Sequence, residues 1–425
     1  MRKTILFVLF IISLFITSCT INDSKQNESL TVKETFEEAK VDRIYEFNEE
    51  IISGINEIGF DILNMLYEKD NNANILFSPV SLTSALSMLE NGVDGDTKSE
   101  ILSVMNIEND DNLNETYNHL INYYNQVSNS EFKNKSTIYM ANSFWFKNMD
   151  LIVKEGYLKT VKSSYDGDIF SVDFKDIKTK NDINKWIEDK TNGLLKDTLK
   201  EIDSDVIAYL INTLYFNGTW RNEFDKELTQ KADFNLSDGD TVKVDMMHQV
   251  ERNNYYEDEN VQMVSLNYSD VSMKVILPKT SINQFLKNDN NELLKTIDKS
   301  NEYKLVNLYF PKFKYDSNND LKDILKVLGM TSAFEFDTAE FDSMMETTND
   351  TRVKVSKVFQ NTTIEVDEEG TEAAAVTVIE MVEESCPDKP NEPILMNCNK
   401  PFVFIIKDNK SNSNLFVGIV QNPAK

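Results

Sequence analysis

The 425-residue chain has few of the residues on which most enzymes and disulfide-rich proteins depend. It contains three cysteines, which are too few for a disulfide scaffold in a chain of this length. Its two histidines, His119 and His248, leave little material for a histidine-rich metal site or for a Ser-His-Asp triad. These shortages argue against several classes of enzyme and of metal-binding protein.

The sequence also lacks the short motifs that bind nucleotides or zinc. With only twelve glycines, no glycine-rich dinucleotide motif follows a strand signal, and no phosphate loop ends in Gly-Lys-Ser or Gly-Lys-Thr. No HExxH motif occurs, and Cys386 and Cys398 lack the paired spacing of a zinc knuckle. Acidic residues are numerous enough to contain a carboxylate pair for glycoside hydrolysis, but no pattern singles out two of them. We therefore expect a protein that is not an enzyme and needs neither a metal nor a cofactor.

The charge of the chain is strongly acidic. It has 44 basic and 71 acidic residues, a formal net charge of −27 and a pI near 4.5. Binding to a nucleic-acid backbone requires clustered lysine and arginine, so no nucleic-acid partner is expected. Hydrophobic residues make up 40% of the chain, which is enough for a large folded core.

The N-terminus has the features of a bacterial lipoprotein signal. A basic opening at residues 1–3 precedes an apolar run at residues 5–16, which is too short for a membrane span of about 20 residues but fits a secretory signal. The Ile-Thr-Ser-Cys sequence at residues 16–19 resembles a lipobox, which implies a diacylglycerol on Cys19 after removal of residues 1–18. The alternative is an ordinary secretory signal that happens to contain a cysteine.

The lipobox resemblance predicts where the protein is found. Two or three acyl chains anchor a protein far better than one does, so we expect a lipoprotein anchored to the bacterial cell membrane or surface. Residues 19–47 would be the lipidated cysteine and a polar tether. No Pro/Gly/Ser-rich break or repeat divides residues 48–425, which favours one large domain.

Within that domain, helical signals gather early and strand signals late, so we expect an α+β fold. Residues 49–67 carry isoleucines at helical spacing. The other helical signals lie at residues 81–89 and 183–191. Strand signals lie at residues 137–146, 206–215, 241–247, 272–277, 305–310, 402–406 and 415–420. The last two flank a polar turn-forming run and predict a C-terminal hairpin.

Residues 367–384 form the most unusual segment. They hold seven acids and no base, and their alanines favour a helix whereas their β-branched residues favour a strand. In a strand, one face would be uncharged, with Thr371, Ala373, Ala375, Thr377, Ile379 and Met381. Such a segment can enter an existing sheet without burying a carboxylate, and Gly370 at its base gives the backbone freedom of a hinge.

The sequence resembles the serpin family over nearly all of residues 48–425. The most specific match is the inhibitory-type hinge, which consists of Glu368, Glu369, Gly370, Thr371, Glu372, Ala373, Ala374 and Ala375. Further matches follow in family order at residues 74–79, 142–145, 183–186, 191–193, 216–220, 246–248, 277–278, 310–312, 399–402, 415–418 and 422–423. Any single tetrapeptide would be weak evidence, but their order along the whole chain makes the resemblance specific.

The resemblance implies a serpin fold with three β-sheets, about nine helices and an exposed reactive loop at about residues 368–398. It also implies a monomeric suicide substrate that forms a covalent acyl complex with a serine protease, and that performs no catalysis itself. Two alternatives within the family are a non-inhibitory serpin that acts as a binding protein and an inhibitor of a cysteine protease. A surface adhesin or solute-binding lipoprotein is the alternative from another class.

The family pattern, counted from Glu368, places the scissile bond between Glu384 and Ser385. Because Glu384 would then fill the primary pocket of the protease, we expect a target that prefers acidic residues, such as a glutamyl-specific serine protease. Bonds at residues 381–382 and 385–386 remain alternatives.

The resemblance also implies a set of gate and loop-entry residues: Ser78, Ser81, Asn212, Gln360, Trp220 and Lys312. Gln360 stands where the family usually has a histidine. A glutamine can both donate and accept hydrogen bonds, so we expect a polar latch with Ser78 and Asn212 that does not respond to pH near neutrality. Lys312 either pairs with Glu368 or leaves it as a solvated surface residue.

Three remaining residue types have ordinary structural interpretations. Trp220 is expected to be a packed aromatic that also shapes the entry point of the loop, and His248 is expected to be structural. Cys386 and Cys398 are either free thiols or a disulfide within the distal part of the loop.

Overall fold

The structure is a computed structural model that describes residues 28–29, 45–129, 136–148, 151–202, 206–287, 291–300, 302–347, 352–371 and 392–425. Within these ranges the chain forms nine α-helices and three β-sheets in a mixed α+β arrangement. The predicted fold class is therefore confirmed. The signal segment at residues 1–18, including its boundary with Cys19, lies outside the described residues.

The helices of the described part of the chain are concentrated in its first half. Their bounds are α1 Glu49–Lys69, α2 Pro79–Glu90, α3 Gly95–Val104, α4 Leu113–Ser128, α5 Glu155–Tyr165, α6 Ile177–Lys190, α7 Ile282–Leu286, α8 Asn291–Lys299 and α9 Lys322–Val327. The helical signals at residues 49–67, 81–89 and 183–191 match α1, α2 and α6. The last of these begins six residues earlier than its signal, because the Asp176 carboxylate caps it by accepting from the backbone N–H of Lys178.

The strands form a seven-stranded main sheet, a nine-stranded second sheet and a two-stranded ribbon. Their bounds are β1 Glu28–Ser29, β2 Ile75–Phe77, β3 Thr137–Lys147, β4 Leu151–Val153, β5 Asp168–Val172, β6 Ala208–Thr219, β7 Gln230–Asn235, β8 Thr241–Glu257, β9 Val261–Asn267, β10 Val271–Pro278, β11 Tyr303–Pro311, β12 Phe313–Asp320, β13 Met345–Thr347, β14 Lys357–Val366, β15 Gly370–Thr371, β16 Ile394–Asn397, β17 Phe402–Asp408 and β18 Asn414–Val420. All seven strand signals fall on strands of the structure. The C-terminal hairpin is confirmed by the antiparallel pairing of β17 with β18.

The main sheet runs in the order β1-β5-β3-β6-β15-β14-β12. One of its faces packs on the large hydrophobic core, and α2 lies on that side with every residue buried. Its other face is partly covered by α6, which contributes Ile183, Trp186 and Ile187 to a second apolar cluster with Trp145 and Tyr209 of the sheet. The sheet is therefore buried on both sides around β3, β6 and β14.

The second sheet runs in the order β16-β11-β8-β9-β10-β17-β18-β2, with β7 paired to β8. Its strands β10, β17 and β18 are buried along their whole length. Near-continuous apolar runs such as Phe402–Asp408 suit strands that are covered on both faces. In the part of the chain that the structure describes, no helix combines the length and the apolar character needed to span a membrane.

Candidate functional site

The candidate site is the end of the main sheet at which the short strand β15 lies between β6 and β14. Gly370 pairs with Thr219 of β6, and Thr371 pairs with both Gly218 of β6 and Val366 of β14, in antiparallel register. A side chain at position 370 has no space, since a Cβ there would lie 2.1 Å from the carbonyl oxygen of Gly218. The glycine therefore allows the hinge backbone to enter the sheet.

A tight turn leads from β14 into β15. The Asp367 carboxylate accepts from the backbone N–H groups of Glu369, at 2.9 Å, and Gly370, at 3.1 Å. The Asp367 N–H in turn donates to the carbonyl of Gly370 at 2.9 Å. These hydrogen bonds satisfy the backbone polar groups of the turn, which the hydrogen bonds between the strands alone would leave without partners.

The carbonyls of this turn are held by the segment that follows β6. The Trp220 indole donates to the carbonyl of Asp367, and the Trp220 backbone N–H donates to the carbonyl of Glu369, both at 2.9 Å. The Phe224 N–H donates to the carbonyl of Glu368 at 2.9 Å. Trp220 is almost fully buried, so it is a packed aromatic that also holds the hinge, as its position in the sequence suggested.

The structure brings Glu368 and Lys312 together. One Glu368 carboxylate oxygen pairs with the Lys312 ammonium at 2.6 Å, and the other accepts from the Thr229 hydroxyl at 2.8 Å. Burial of this carboxyl would raise its pKa, but the hydrogen bonds from Lys312 and Thr229 outweigh burial and hold the pKa below its usual value. The pair therefore stabilises the hinge at neutral pH, and its contribution is lost as the pH falls through the lowered pKa.

Glu369 forms a second ion pair with Lys226, which belongs to a short 3-10 turn after β6. The hydrogen bond from this ammonium to Glu369 raises the pKa of Lys226. Both hinge acids are thus tied to lysines from other parts of the chain. Neither Lys226 nor Thr229 could be identified from the sequence, because only the fold places them beside the hinge.

Thr371 is held by a tyrosine that the sequence analysis did not identify. The Tyr268 hydroxyl and the Thr371 hydroxyl lie 2.6 Å apart, and both side chains are buried. The Tyr268 ring stacks on Trp220 at 4.3 Å between centroids and meets Phe216 edge-on at 5.1 Å. Burial raises the pKa of Tyr268 well above its usual value, so its hydroxyl keeps its proton for this contact.

The gate residues meet lower in the sheet, where β6 and β14 pair in parallel. The Gln360 amide oxygen accepts from the backbone N–H of Ser78 at 2.7 Å. Its amide nitrogen donates to the Ser78 carbonyl and to the Asn212 side-chain oxygen, both at 2.8 Å. The Ser81 hydroxyl also donates to that Asn212 oxygen, at 3.1 Å. Gln360 therefore uses both ends of its amide, in the arrangement expected of the polar latch.

Other predicted residues lie apart from the hinge. The His248 ring contacts the Asn307 side-chain oxygen at 2.8 Å and stacks on Tyr309 at 4.5 Å, which is a packing role. Cys398 is a buried free thiol whose pKa is raised by burial. The reactive bond Glu384–Ser385, the hinge residues 372–375, Cys386 and Cys19 lie outside the described residues. Within the described ranges, no three His, Cys, Asp or Glu side chains are grouped so as to hold a metal ion.

Replacement of Tyr268 by phenylalanine is expected to loosen the hinge. The buried Thr371 hydroxyl would lose its partner, and an unsatisfied buried polar group costs about 1–3 kcal/mol. The measurements are the unfolding temperature and the hydrogen exchange of the amides at residues 369–371. Tyr315→Phe is the matched control, since the Tyr315 hydroxyl donates at 3.0 Å to the Ile75 carbonyl away from the hinge. Equal exchange at the hinge in both variants would contradict a holding role for Tyr268.

Replacement of Gln360 by histidine is expected to introduce a pH response that the wild-type latch lacks. A protonated imidazole would be a buried charge and could no longer accept from the Ser78 N–H. Because the unfolded state would bind the extra proton, stability should fall as the pH drops below about 6.5, by about 1.4 kcal/mol at pH 5.5. The check is the difference between variant and wild-type unfolding temperatures at pH 7.5 and pH 5.5. A difference that stays constant across this range would refute the argument.

Comparison with known proteins agrees with this geometry. Residues 53–423 match the family described as Serpin (serine protease inhibitor). The chain is 32% identical over 435 residues to an uncharacterised serpin-like protein of Methanosarcina acetivorans, covering 99% of this chain and 98% of that protein. It is 30% identical over 384 residues to alpha-1-antiproteinase of Rattus norvegicus, covering 88% and 90%.

Solved structures show the same likeness. The native state of the thermophilic serpin tengpin matches with a TM-score of 0.79 at 30% identity, covering 93% of this chain and all of that one. Thyroxine-binding globulin in complex with thyroxine matches with a TM-score of 0.77 at 26% identity, covering 88% of this chain and all of that one. With the hinge strand lodged in the main sheet and the family match spanning nearly the whole folded region, the chain belongs to the serpin family.

Proposed function

We propose that this serpin is an irreversible suicide-substrate inhibitor of a serine protease. Members of the family are typically protease inhibitors rather than enzymes. One observation carries the proposal for this chain. Its hinge strand β15 already lies between β6 and β14, and Thr371 is therefore at the point where a further strand would enter the main sheet.

The proposed mechanism couples cleavage of the loop to strand insertion. The hydroxyl oxygen of the protease serine forms a bond to the carbonyl carbon of Glu384, and the peptide bond to Ser385 breaks. The proton given up by that hydroxyl passes to the new amine of Ser385. The released strand then inserts between β6 and β14 and carries the acyl-linked protease with it. Insertion adds main-chain hydrogen bonds and releases stored strain, which distorts the protease before water can hydrolyse the ester.

Glu384, the residue before the proposed scissile bond, indicates which class of protease is the expected target. A carboxylate in the primary pocket requires a cationic or strongly hydrogen-bonding pocket, so a glutamyl-specific or related acidic-preferring protease is the proposed target. Incubation with proteases of different specificities should give an SDS-resistant complex with this class. Mass spectrometry should find a released fragment that begins at Ser385, and any other new N-terminus would defeat the assignment of the bond.

Two variants separate inhibition from simple cleavage. Glu384→Arg should lose the complex with the glutamyl protease and form one with an arginine-preferring protease. Thr371→Arg places a charge where the structure has a buried hydroxyl, so it should be cut at the same bond without forming a complex. Heating provides the second readout, since cleavage should raise the unfolding temperature greatly only when the strand inserts. Cleavage of the wild-type chain with neither a complex nor this increase would reject inhibition by insertion.

A binding protein is the second candidate function. The likeness to thyroxine-binding globulin in complex with thyroxine shows that a protein of this fold can bind a small molecule. A non-inhibitory serpin of that kind would be cut without trapping the protease. An inhibitor of a cysteine protease remains a further alternative, and it would give a thioester-linked complex in the same screen.

We further propose that the protein acts as a monomer on a membrane-anchored tether. In this arrangement residues 1–18 are a signal peptide, Cys19 bears the lipid, residues 19–47 form the tether and residues 48–425 form the serpin domain. Part of the proposed tether, Glu28–Ser29, pairs with β5 at the edge of the main sheet. Lipidation would place the protein on the outer side of a bacterial cell membrane or on the cell surface. No nucleic-acid partner is proposed for so acidic a chain.

The anchor can be tested with Cys19→Ser in the full chain. The wild-type protein should partition into the detergent phase, and the variant should be retained as an unprocessed precursor or released without lipid. The matched control is Cys386→Ser, which also replaces a cysteine but leaves the lipobox intact. Because an unprocessed precursor keeps its apolar signal, intact mass is the deciding measurement, and a processed wild-type chain without an added diacylglycerol would rule out lipid attachment at this residue.

A further inference from the structure

The short strand β1 lies at the edge of the main sheet. It pairs with β5 in antiparallel register, with Glu28 opposite Ser171 and the next residue, Ser29, opposite Phe170. β5 is itself fixed in the body, because it pairs with β3 along its whole length and the Phe170 ring stacks on Trp145 at 3.9 Å between centroids. The outer edge of a strand offers backbone N–H and C=O groups that an added strand can satisfy. β1 therefore attaches the N-terminal segment to a rigid part of the sheet.

The direction of β1 follows from the pairing of its neighbours. β1 is antiparallel to β5, β5 is parallel to β3, and β3 is antiparallel to β6. β1 therefore runs in the same direction as β6, toward the end of the sheet at which the hinge strand β15 lies. The chain accordingly enters β1 at Glu28 from the opposite end of the sheet.

The hinge lies far from this point of entry. Through β5 and β3, Glu28 is level with Ala208 of β6. Gly370 of the hinge pairs with Thr219, which is eleven residues further along β6. At about 3.3 Å per residue, the hinge is about 36 Å from the level of Glu28, measured along the strands.

Pairing of β1 shortens the connection between the proposed lipid and the body. Glu28 follows Cys19 by nine residues, which span at most about 32 Å even when fully extended. Without β1, the connection would run to Tyr45, which is 26 residues from Cys19 and gives a reach of up to about 94 Å. The pairing of β1 with β5 thus reduces the reach of the tether to about a third.

These lengths restrict how the domain can be oriented on a membrane. If the hinge end rested on the lipid, the nine residues before Glu28 would have to span about 36 Å of the main sheet, although they reach at most about 32 Å. The domain therefore cannot stand on its hinge end while β1 is paired. A tether of 26 residues would permit every orientation, since its reach exceeds the length of the sheet.

Charge opposes an orientation in which the domain lies on its side. The chain has a formal net charge of −27, and the surface of a bacterial membrane that contains anionic lipids is also negative. A domain lying along the membrane would bring more acidic surface within a Debye length of about 8–10 Å of the lipid than a domain that contacts it with one end. Repulsion therefore favours the orientation with the hinge end outward.

We propose that β1 is a clip that orients the serpin domain on its membrane anchor, with the hinge end facing away from the lipid. The clip consists of the outer edge of β5 and of the segment Glu28–Ser29 that pairs with it. The inference rests on the proposed lipid at Cys19. It specifies that the reactive loop is presented to proteases that arrive from solution, and not to proteases within the same membrane.

Two fluorescent labels measure the orientation of the lipidated full chain in vesicles of phosphatidylethanolamine and phosphatidylglycerol. Ile177→Cys places one label at the start of α6, shortly after β5, and Leu228→Cys places the other in the 3-10 turn beside the hinge. Both positions are exposed, Cys398 is buried, and each variant also carries Cys386→Ser. A quencher on the lipid headgroups should quench the Ile177 label at least about threefold more strongly, since the tether reaches at most about 32 Å and the hinge lies about 36 Å further along the sheet.

Glu28→Pro together with Ser29→Pro tests whether β1 sets the orientation. Successive backbone N–H groups of a strand point to opposite edges, so this pair of changes removes whichever N–H group bonds to β5. The matched control is Asp23→Pro with Ser24→Pro, which also adds two prolines to the tether but leaves β1 unchanged. In the first variant the two labels should be quenched equally, and the control should keep the difference of at least about threefold.

A disulfide tests the pairing of β1 without vesicles. Glu28→Cys with Ser171→Cys joins two directly opposite residues, whereas Asp23→Cys with Ser171→Cys uses a tether residue outside β1. Each pair is introduced into the full chain carrying Cys386→Ser. Under mild oxidation, the first pair should close at least about tenfold faster than the second, because pairing raises the effective concentration of the two thiols. Equal rates would mean that β1 is not paired with β5, and the clip would be refuted.

The outcomes separate the clip from the proposals on which it rests. Intact mass is measured first, and a processed chain without lipid would defeat the anchor and the orientation together. A lipidated chain whose two labels are quenched equally would overturn the orientation and leave the anchor standing. A difference that persists in Glu28→Pro with Ser29→Pro would exclude β1 as its cause. Formation of the SDS-resistant complex is assayed in detergent solution, so the proposed inhibition stands or fails independently of these results.

Discussion

The architecture depends on one constraint in the main sheet, namely that β6 and β14 are joined at one end and separated at the other. At the joined end they share five parallel pairs and the Gln360 latch. At the other end β15 lies between them, while the outer edges of β6 and β14 remain bound to β3 and β12. The sheet is thus continuous on both flanks and divided at its centre. A strand can be added at that division without disturbing the pairing of the flanking strands.

The hinge is held by charges that come from distant parts of an otherwise acidic chain. Lys312 connects β11 to β12 and pairs with Glu368, and Lys226 follows β6 and pairs with Glu369. The nearby Glu223 has a raised pKa because of its burial and the charges of Glu369 and Asp367, which shows how acidic this region is. The two lysines fix the turn before β15 against that repulsion. The turn that leads from β14 into β15 is therefore held by ion pairs from two distant segments of the chain.

Much of the fold was predictable from the sequence, because hydrophobic periodicity reports directly on burial. The C-terminal hairpin and strands such as β10 and β11 have apolar patterns that few other structures could bury. β8 was predicted only in part, since beyond position 247 it continues as polar residues that are held by pairing with β9 and β11. Helix α4 was not predicted, because its many asparagines disfavour a helix and only tertiary burial of Tyr117, Leu120 and Tyr124 stabilises it.

Some residues of the candidate site could likewise be predicted from local sequence patterns, whereas others are brought to the site only by the fold. The hinge motif and Gln360 are visible as sequence patterns, and the structure brings Gln360, Ser78, Ser81 and Asn212 together. Tyr268, Thr229 and Lys226 have no local signal, because their role is defined by the return of distant segments to the hinge. β15 could not be predicted either, since two residues are too short to show a period. Its pairing partners are separated from it in sequence by about 150 residues on the β6 side.

The glutamine at the gate determines which interactions hold the parallel pairs of β6 and β14 together. A neutral amide that satisfies Ser78 and Asn212 from both of its ends has no proton to gain or lose near neutrality. The energy needed to separate β6 from β14 therefore comes from hydrogen bonds and packing, and these change little with pH in the range where a histidine would titrate. Only a competing strand can replace those bonds. Under the proposed function, the trigger for sheet opening is therefore release of the loop by cleavage, since no side chain of the latch gains or loses a proton near neutrality.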